Sequence, residues 1–454
     1  MKHRISMWHK DRCDLCGQCL YQCPVLTLSL DEARVEMKNL IEGNGSRYVL
    51  TNCTSCMSCN IYCPRQANPY HLIQERWNDL YHKKGAPPLY RGVCPTEEPN
   101  IWQLLNVFLS EKEKRWISGW MNYVPQPGDM LLLIGNYVHL FPFIIGDSQL
   151  LNYFKVVDRI DQWEGGAYLY QGGYLDEVQR IAHKTKEDFD RWGVNTVVPL
   201  LDAVYHVFTQ VHPKEMQVKH EQTFINFHDW LLEKFDSGDI DLPNQLNISI
   251  TVHDNCYSKA LGEPYWDKHR EILKRCGCIL VEMEHNRQNS LCCGFGAGAS
   301  WKRNSAIPFD MIWEATKKIK EAETTGAKAL VSYCGGCIYL LWATRELLQS
   351  KIDIYHNVEI VRMAMGETIN YPYNHIERAW DIIAIITYQL LVSIFQKNFR
   401  IKTISYDYNR STFTPKNYRV LKIIRKLLRY QFIRGIYSKI FKGLMPVINT
   451  RRVA

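Results

Sequence analysis

The chain lacks several things that a membrane-embedded or exported enzyme would show. No uninterrupted apolar run reaches the roughly 18–20 residues of a membrane-spanning helix. Its first ten residues, Met1-Lys2-His3-Arg4-Ile5-Ser6-Met7-Trp8-His9-Lys10, hold no apolar core of a secretory signal, so a reducing, cytoplasmic setting is expected. No G-x-G-x-x-G fingerprint is present, so any hydride step requires a flavin or nicotinamide on another chain. Gly294-Phe295-Gly296-Ala297-Gly298 lacks that spacing and follows a cysteine pair rather than a strand. Acidic residues nearly vanish at the C-terminal end: positions 397–454 carry 15 Lys/Arg against Asp407 alone. That leaves 40 basic and 46 acidic side chains in 1–396, a mildly acidic body with a basic tail. Cysteine is absent between Cys94 and Cys256, although the chain holds 16 of them.

Those sixteen dominate what is present. With 454 residues the chain is long enough for two or three domains. Cys13-x-x-Cys16-x-x-Cys19-x-x-x-Cys23-Pro24 recurs as Cys53-x-x-Cys56-x-x-Cys59-x-x-x-Cys63-Pro64. This is the run of bacterial two-cluster ferredoxins, in which the fourth cysteine of each motif ligates the other cluster. Cys13, Cys16, Cys19 and Cys63 are therefore assigned to one 4Fe–4S cubane, and Cys53, Cys56, Cys59 and Cys23 to a second. A zinc ribbon needs only two CxxC pairs, so the duplication counts against zinc. Leu28, Leu30, Ala33, Val35, Met37 and Leu40 between the motifs have mostly helical spacing, which predicts a helix there.

A second constellation runs from Cys256 through Cys292-Cys293-Gly294 to Cys334-Gly335-Gly336-Cys337. Cys256 and Cys334 each follow a strand-like run, Ile248 to Val252 and Ala329 to Ser332, and the C-terminal ends of such strands are where open α/β sheets bind ligands. Adjacent cysteines make a poor disulfide, and five thiolates exceed a closed zinc site by one. A soft iron–sulfur cluster suits them better than inert buried thiols.

This pattern resembles the CCG domain of the heterodisulfide reductase catalytic subunit and of the iron–sulfur subunits of glycolate, lactate and glycerol-3-phosphate dehydrogenases. Val281-Glu282-Met283-Glu284-His285-Asn286-Arg287 leading into Leu291-Cys292-Cys293-Gly294-Phe295-Gly296 carries the likeness. The resemblance implies a noncubane 4Fe–4S cluster on Cys256, Cys292, Cys293, Cys334 and Cys337, and an α-helical rather than β ferredoxin domain. Residues 129 to about 212 repeat the theme with the chemistry removed. Leu201 and Val204 stand where Cys334 and Cys337 stand, and Glu164-Gly165-Gly166 aligns with Cys292-Cys293-Gly294. Heterodisulfide reductase uses two noncubane clusters, so this chain looks more like relatives with one intact repeat.

The expected fold is α+β. It comprises a helical two-cluster ferredoxin domain (1–85), a linker with helical entry (86–128), a degenerate CCG-like repeat (129–247), an intact one (248–365) and a helical basic tail (366–454). The expected function is that of an iron–sulfur oxidoreductase subunit passing electrons through two cubanes to or from the noncubane site, where a thiol-cofactor or protein disulfide is reduced or formed. The alternative is an electron-transfer-only subunit linking a flavin dehydrogenase to a membrane quinone-reducing partner. Cys94, Cys276 and Cys278 are read as buried non-ligands, the last two in a strand. His253 and His285 are candidate proton donors, more often structural. In the tail, Leu421, Ile423, Ile424, Leu427, Leu428, Phe432 and Ile436 read as one apolar face against Lys422, Arg425, Lys426, Arg429, Arg434, Lys439 and Lys442. Such a helix suits an anionic membrane surface or a membrane subunit at the inner face of the cell membrane, or is simply a solvated docking helix. Nucleic acid is disfavoured by the redox content.

Overall fold

Parallel strands buried on both faces read as continuous apolar runs rather than alternating ones, and the chain folds two sets of them. The computed structural model describes residues 4–43, 45–158, 164–299, 301, 306–369, 373–402 and 417–448. The first sheet holds β1 (Met130–Leu133), β2 (Lys155–Val157), β3 (Thr196–Pro199) and β4 (Thr223–Phe224) in the order β2-β1-β3-β4. The second holds β5 (Ser249–Val252), β6 (Ile279–Leu280), β7 (Ala329–Ser332) and β8 (Asp353–His356) in the order β6-β5-β7-β8. Every pairing is parallel. The two sheets are the same unit twice, as the aligned motifs anticipated. In each, the two central strands send their connections to opposite sides, and the crevice at that switch point is where such sheets hold ligands.

The N-terminal segment is helical. Ser29 and Glu32 form a reciprocal capping box that starts α1 (Leu30–Glu42), which buries Ala33, Met37 and Leu40. Val35, assigned to the same apolar set from the sequence, points outward at 58 % exposure. The following helix, α2 (Pro69–Lys84), docks this segment on the first repeat: the Tyr70 hydroxyl donates to the Gln171 carbonyl at 3.2 Å. Cys276-Gly277-Cys278 is a correction in detail. It forms the turn between the helix Tyr265–Arg275 and β6, with Gly277 at φ +77° and both thiols buried.

The two repeats are stitched together near α3 (Ala167–Gln171) and α4 (Cys256–Leu261), where the Tyr257 hydroxyl donates to the Ala167 carbonyl at 2.6 Å. Behind the second sheet, α5 (Gly335–Leu348) packs on α6 (Tyr373–Ser393), and α7 (Arg419–Leu427) and α8 (Gln431–Ile448) lie outside them. No helix among the described residues is long and apolar enough to cross a membrane. The expected single apolar face of the tail is divided. Leu421 and Leu428 are buried against the body, while Ile423, Leu427, Phe432 and Ile436 are exposed.

Trp342 of α5 anchors this side. Its indole N–H donates to the Ile354 carbonyl of β8 at 2.9 Å, and its ring stacks on Phe143 and His375. Trp342→Ala is expected to cost about 3–5 kcal/mol, the usual loss on deleting a buried large aromatic. Scanning calorimetry on the anaerobic protein reads this as a Tm several degrees lower.

Candidate metal centre

The two ferredoxin motifs adopt the same backbone. Leu15 and Ser55 take left-handed conformations (φ +60° and +57°), as do Gly17 and Met57 (φ +76° and +62°). Alternating right- and left-handed residues turn successive N–H groups inward and make the concave nest that suits anionic and iron–sulfur groups. The Ser55 and Ala67 N–H groups donate to Cys53 Sγ and Cys63 Sγ, each at 3.3 Å. The thiols act on one another's ionisation. Burial pushes Cys19 up to about 12, helped by Cys63, Cys13 and Cys16. Burial likewise raises Cys23 to about 12 with Cys56 as the next cause, and raises Cys59 with Cys53 next. Cys63 thus neighbours the first motif and Cys23 the second, although each belongs by sequence to the other.

The five remaining candidates meet at the switch point of the second sheet. Cys256 opens α4 after β5, and Cys334 caps α5 after β7. Cys256, Cys292, Cys293, Cys334 and Cys337 line one cavity together with Thr54, Tyr137, Glu164, Tyr168, Gln171 and Phe295. Cys256, Cys292 and Cys334 are partly exposed, whereas Cys293 and Cys337 are buried. Cys293 is the hub: hydrogen bonds from Cys292 and Cys337 hold its pKa below the thiol norm and push theirs above it. Gly294 sits at φ +88° and a Cβ there would lie 2.2 Å from the Met311 carbonyl oxygen, so only glycine fits. Its N–H donates to Cys292 Sγ at 3.3 Å.

His253 and His285 part company. His253 is 1 % exposed, and its ring nitrogen and the Cys293 and Cys337 sulfurs lie within 4.8 Å of one another. Neither of its ring nitrogens makes a well-formed hydrogen bond. His285 instead pairs with Glu321 at 2.8 Å, and is not among the residues lining the cavity. Cys94, Cys276 and Cys278 are buried, and none of them lines the five-cysteine cavity.

No pattern in the sequence pointed to Gln171, whose Nε2 donates to Cys256 Sγ at 3.0 Å, or to Lys259, whose Nζ donates to Ser58 Oγ at 2.8 Å. Both bonds join segments far apart in the chain, beyond the reach of any spacing rule. The loop around Cys56 lies against the cavity: a Cβ on Gly296 would stand 2.1 Å from the Thr54 carbonyl oxygen. In the first repeat, Leu201 caps the helix after β3 as Cys334 does after β7, and it lines the five-cysteine cavity. Glu164, aligned with Cys292, accepts the Tyr137 N–H at 3.0 Å and lines that cavity too.

Residues 250–341 match the family model of the cysteine-rich CCG domain. The chain thus contains a CCG domain, and the proteins it resembles over most of its length are named as iron–sulfur oxidoreductases and heterodisulfide reductase subunits. It is 25 % identical over 373 residues to the probable iron–sulfur-binding oxidoreductase FadF of Bacillus subtilis, covering 78 % of this chain and 46 % of that one. It is 22 % identical over 405 residues to one subunit of the dihydromethanophenazine:CoB–CoM heterodisulfide reductase of Methanosarcina mazei, covering 80 % and 95 %. It is 23 % identical over 315 residues to the EtfAB:quinone oxidoreductase of Syntrophomonas wolfei, covering 64 % and 42 %. The chain thus spans less than half of two of these relatives and nearly all of the third.

The CCG domain's cavity fits an iron–sulfur group on its own evidence. All sixteen cysteines are free thiols, and thirteen of them gather in the three places described. Buried thiols that raise one another's pKa ionise together only when cationic metal lies between them. The buried His253 imidazole beside Cys293 favours the ionised form of that sulfur, the form a metal would need.

Glu164 provides a pH test. Burial raises its carboxyl to about 7, so the folded state holds a proton the unfolded chain releases near 4.5. Its favourable contribution is full below pH 4.5 and lost as pH rises through 7. Glu164→Gln keeps the acceptor oxygen and removes the charge. Denaturant melts should find this variant within error of wild type at pH 4 and more stable by up to ~3 kcal/mol at pH 8.

Proposed function

We propose that the chain carries three four-iron clusters: cubanes on Cys13, Cys16, Cys19 and Cys63 and on Cys53, Cys56, Cys59 and Cys23, and a noncubane cluster on Cys256, Cys292, Cys293, Cys334 and Cys337. As the iron–sulfur subunit of a larger complex, it moves electrons between a redox partner and a disulfide–dithiol couple of a thiol cofactor or protein at the CCG cavity. The carrying observation is that all five cysteines line one cavity while Cys256, Cys292 and Cys334 stay partly exposed, so a substrate sulfur has a way in. The cluster would supply single electrons and a soft site for sulfur. Opening a disulfide takes two electrons and two protons. Glu164, about half protonated near pH 7, could supply one proton from the cavity wall and solvent the other, while Gln171 would orient Cys256 by its hydrogen bond.

A second reading, a relay without its own substrate between a flavoprotein and a membrane quinone-linked subunit, draws support from the aromatic wall. Tyr137, Tyr168 and Phe295 are buried and close one side of the cavity. Iron analysis and low-temperature EPR separate the readings. The three-cluster protein should hold about twelve iron atoms per chain, and Cys293→Ala about eight. A paramagnetic signal that appears with an added thiol and is lost in Cys293→Ala supports the substrate site. Cubane signals indifferent to every thiol, with electrons still reaching a quinone-linked acceptor, favour the relay. About eight iron atoms in the wild type would remove the third cluster.

The tail would place this subunit at the inner face of the membrane, against an anionic bilayer. Of the eighteen large hydrophobic side chains exposed on the described residues, twelve fall between Leu391 and Val447, so the concentration is local. Phe432, Ile436, Ile440 and Leu444 recur every four residues along the outward side of α8. Arg419, Lys422, Lys426, Arg429 and Lys439 are exposed beside them and form no ion pair among the described residues. Apolar wedge plus unpaired cations is the chemistry of a helix at a headgroup layer, each cation contributing about 1 kcal/mol at an anionic surface. The protein should co-sediment with phosphatidylglycerol vesicles and much less with phosphatidylcholine, and Phe432→Asp with Ile440→Asp should weaken this at least tenfold. Self-association without vesicle binding would assign the face to a second copy instead.

A further inference from the structure

Lysine is among the residues least often found fully buried unless it is paired, yet Lys259 is 3 % exposed and forms no ion pair with a carboxylate among the described residues. It sits on α4, one turn after Cys256. Its Nζ donates to Ser58 Oγ at 2.8 Å and to the Ser290 carbonyl at 3.1 Å. Those two acceptors belong to different metal groups. Ser58 lies between Cys56 and Cys59, and its Oγ also accepts from Cys56 Sγ at 3.4 Å. Ser290 precedes Cys292-Cys293 by two residues. A continuous line of contacts therefore runs from Cys56 Sγ through Ser58 Oγ and Lys259 Nζ to the chain segment carrying the CCG pair.

The charge is held in place. Burial alone would lower the Lys259 pKa, but the facing thiols of Cys56, Cys292 and Cys256 keep it above the ordinary lysine value. No comparable cation serves the outer group among the described residues: Arg65 near Cys16 and Cys63 is surface-exposed and paired to Asp14 at 2.8 Å.

We propose that Lys259 is the positioning cation of the inner electron step: its ammonium, fixed by Ser58 and Ser290 between the Cys23/Cys53/Cys56/Cys59 group and the five-cysteine group, raises the reduction potentials of both clusters. This rests on the three-cluster reading. Each electron added to a thiolate-held cluster makes it more negative, and a fixed buried cation favours that reduced form because little water screens it. The same charge reaching both clusters raises them together and leaves the step between them unchanged, while the outer cubane on Cys13, Cys16, Cys19 and Cys63, away from that charge, becomes more reducing relative to both. Direction then comes from the outer cubane being the more reducing of the three.

The test is an anaerobic redox titration followed by EPR, with iron quantified in every sample. In Lys259→Met, two of the three midpoint potentials should fall, each by the equivalent of about a tenfold change in the reduction equilibrium, 59 mV for one electron. The third should stay put, and Lys259→Arg should return the two shifted values most of the way to wild type. Three filled clusters with unmoved potentials overturn the proposal, and so does an equal shift of all three, which marks a global disturbance. If Lys259→Met loses iron, Lys259→Gln is read the same way, since it keeps a donor for both acceptors. Iron loss in both neutral variants but not in Lys259→Arg would make the cation a holder of clusters rather than a tuner, and overturn it. A wild-type protein without iron at the five cysteines fails the three-cluster reading instead.

Discussion

Sulfur that is to hold metal must be ionised, and ionised sulfur away from water must be balanced. Most of the local structure answers to that requirement. Cys19, Cys23, Cys59 and Cys256 all have pKa values lifted first by burial and then by neighbouring thiols. As bare thiols they would stay neutral and have no reason to be gathered. The backbone around them is given over to donors: left-handed turns at Leu15, Gly17, Ser55 and Met57, and N–H groups aimed at Cys53, Cys63 and Cys292. Non-glycine residues in that region cost of order 1–3 kcal/mol each and persist where the surroundings over-determine them. The donor nest is such a surrounding.

The same requirement explains why a repeat without cysteines survives. The first sheet supplies the far wall of the CCG cavity through Glu164, Tyr168, Gln171 and Leu201. It also supplies the seat for the ferredoxin loop, since the Gln171 carbonyl accepts both the Ser55 hydroxyl, at 2.8 Å, and the Tyr70 hydroxyl. Where the second repeat places Cys334, the first places Leu201, an apolar side chain that fills rather than ligates. An apolar side chain there leaves no buried thiols to repel one another, and Glu164 accepts the loop N–H of Tyr137. The first repeat frames the cavity.

What the sequence made legible follows the same division. Cysteine spacing is a local record, so both ferredoxin motifs, the strands before Cys256 and Cys334, and the internal repeat could be read directly. Gln171, Thr54 and Lys259 could not, because each meets the site across 85 residues or more of chain, or in company that only packing selects. His285, left between proton donor and structural group, could not be placed for a related reason: a few residues past a strand-like run, its direction depends on Glu321, on another helix. The turn at Cys276-Gly277-Cys278 looked like strand because its thiols are apolar, but Gly277 has the left-handed φ that ends a helix there.

The tail resisted reading because its inward side mixes charge with hydrocarbon, Arg425 beside the buried Leu421 and Leu428. An ordinary surface helix turns its apolar stripe to the core and its charges to water. Here the inward side carries charge. Arg425 pairs with Glu377 at 2.7 Å and also with Asp381, Arg434 pairs with Glu377 at 2.9 Å, and deeper still Arg378 pairs with Glu113 at 2.6 Å. Phe432, Ile436, Ile440 and Val447 face out. Burying that many ionic groups costs desolvation that their mutual attraction roughly offsets, so they contribute orientation more than stability. Orientation is the point: the forked arginines fix which side of α7 and α8 meets the body, and thereby fix the apolar row on the side away from it. Reversing the faces would bury more hydrocarbon and leave the arginines free. An outward apolar row beside the exposed Arg419, Lys422, Lys426, Arg429 and Lys439 is the combination that the proposed contact with an anionic surface would use.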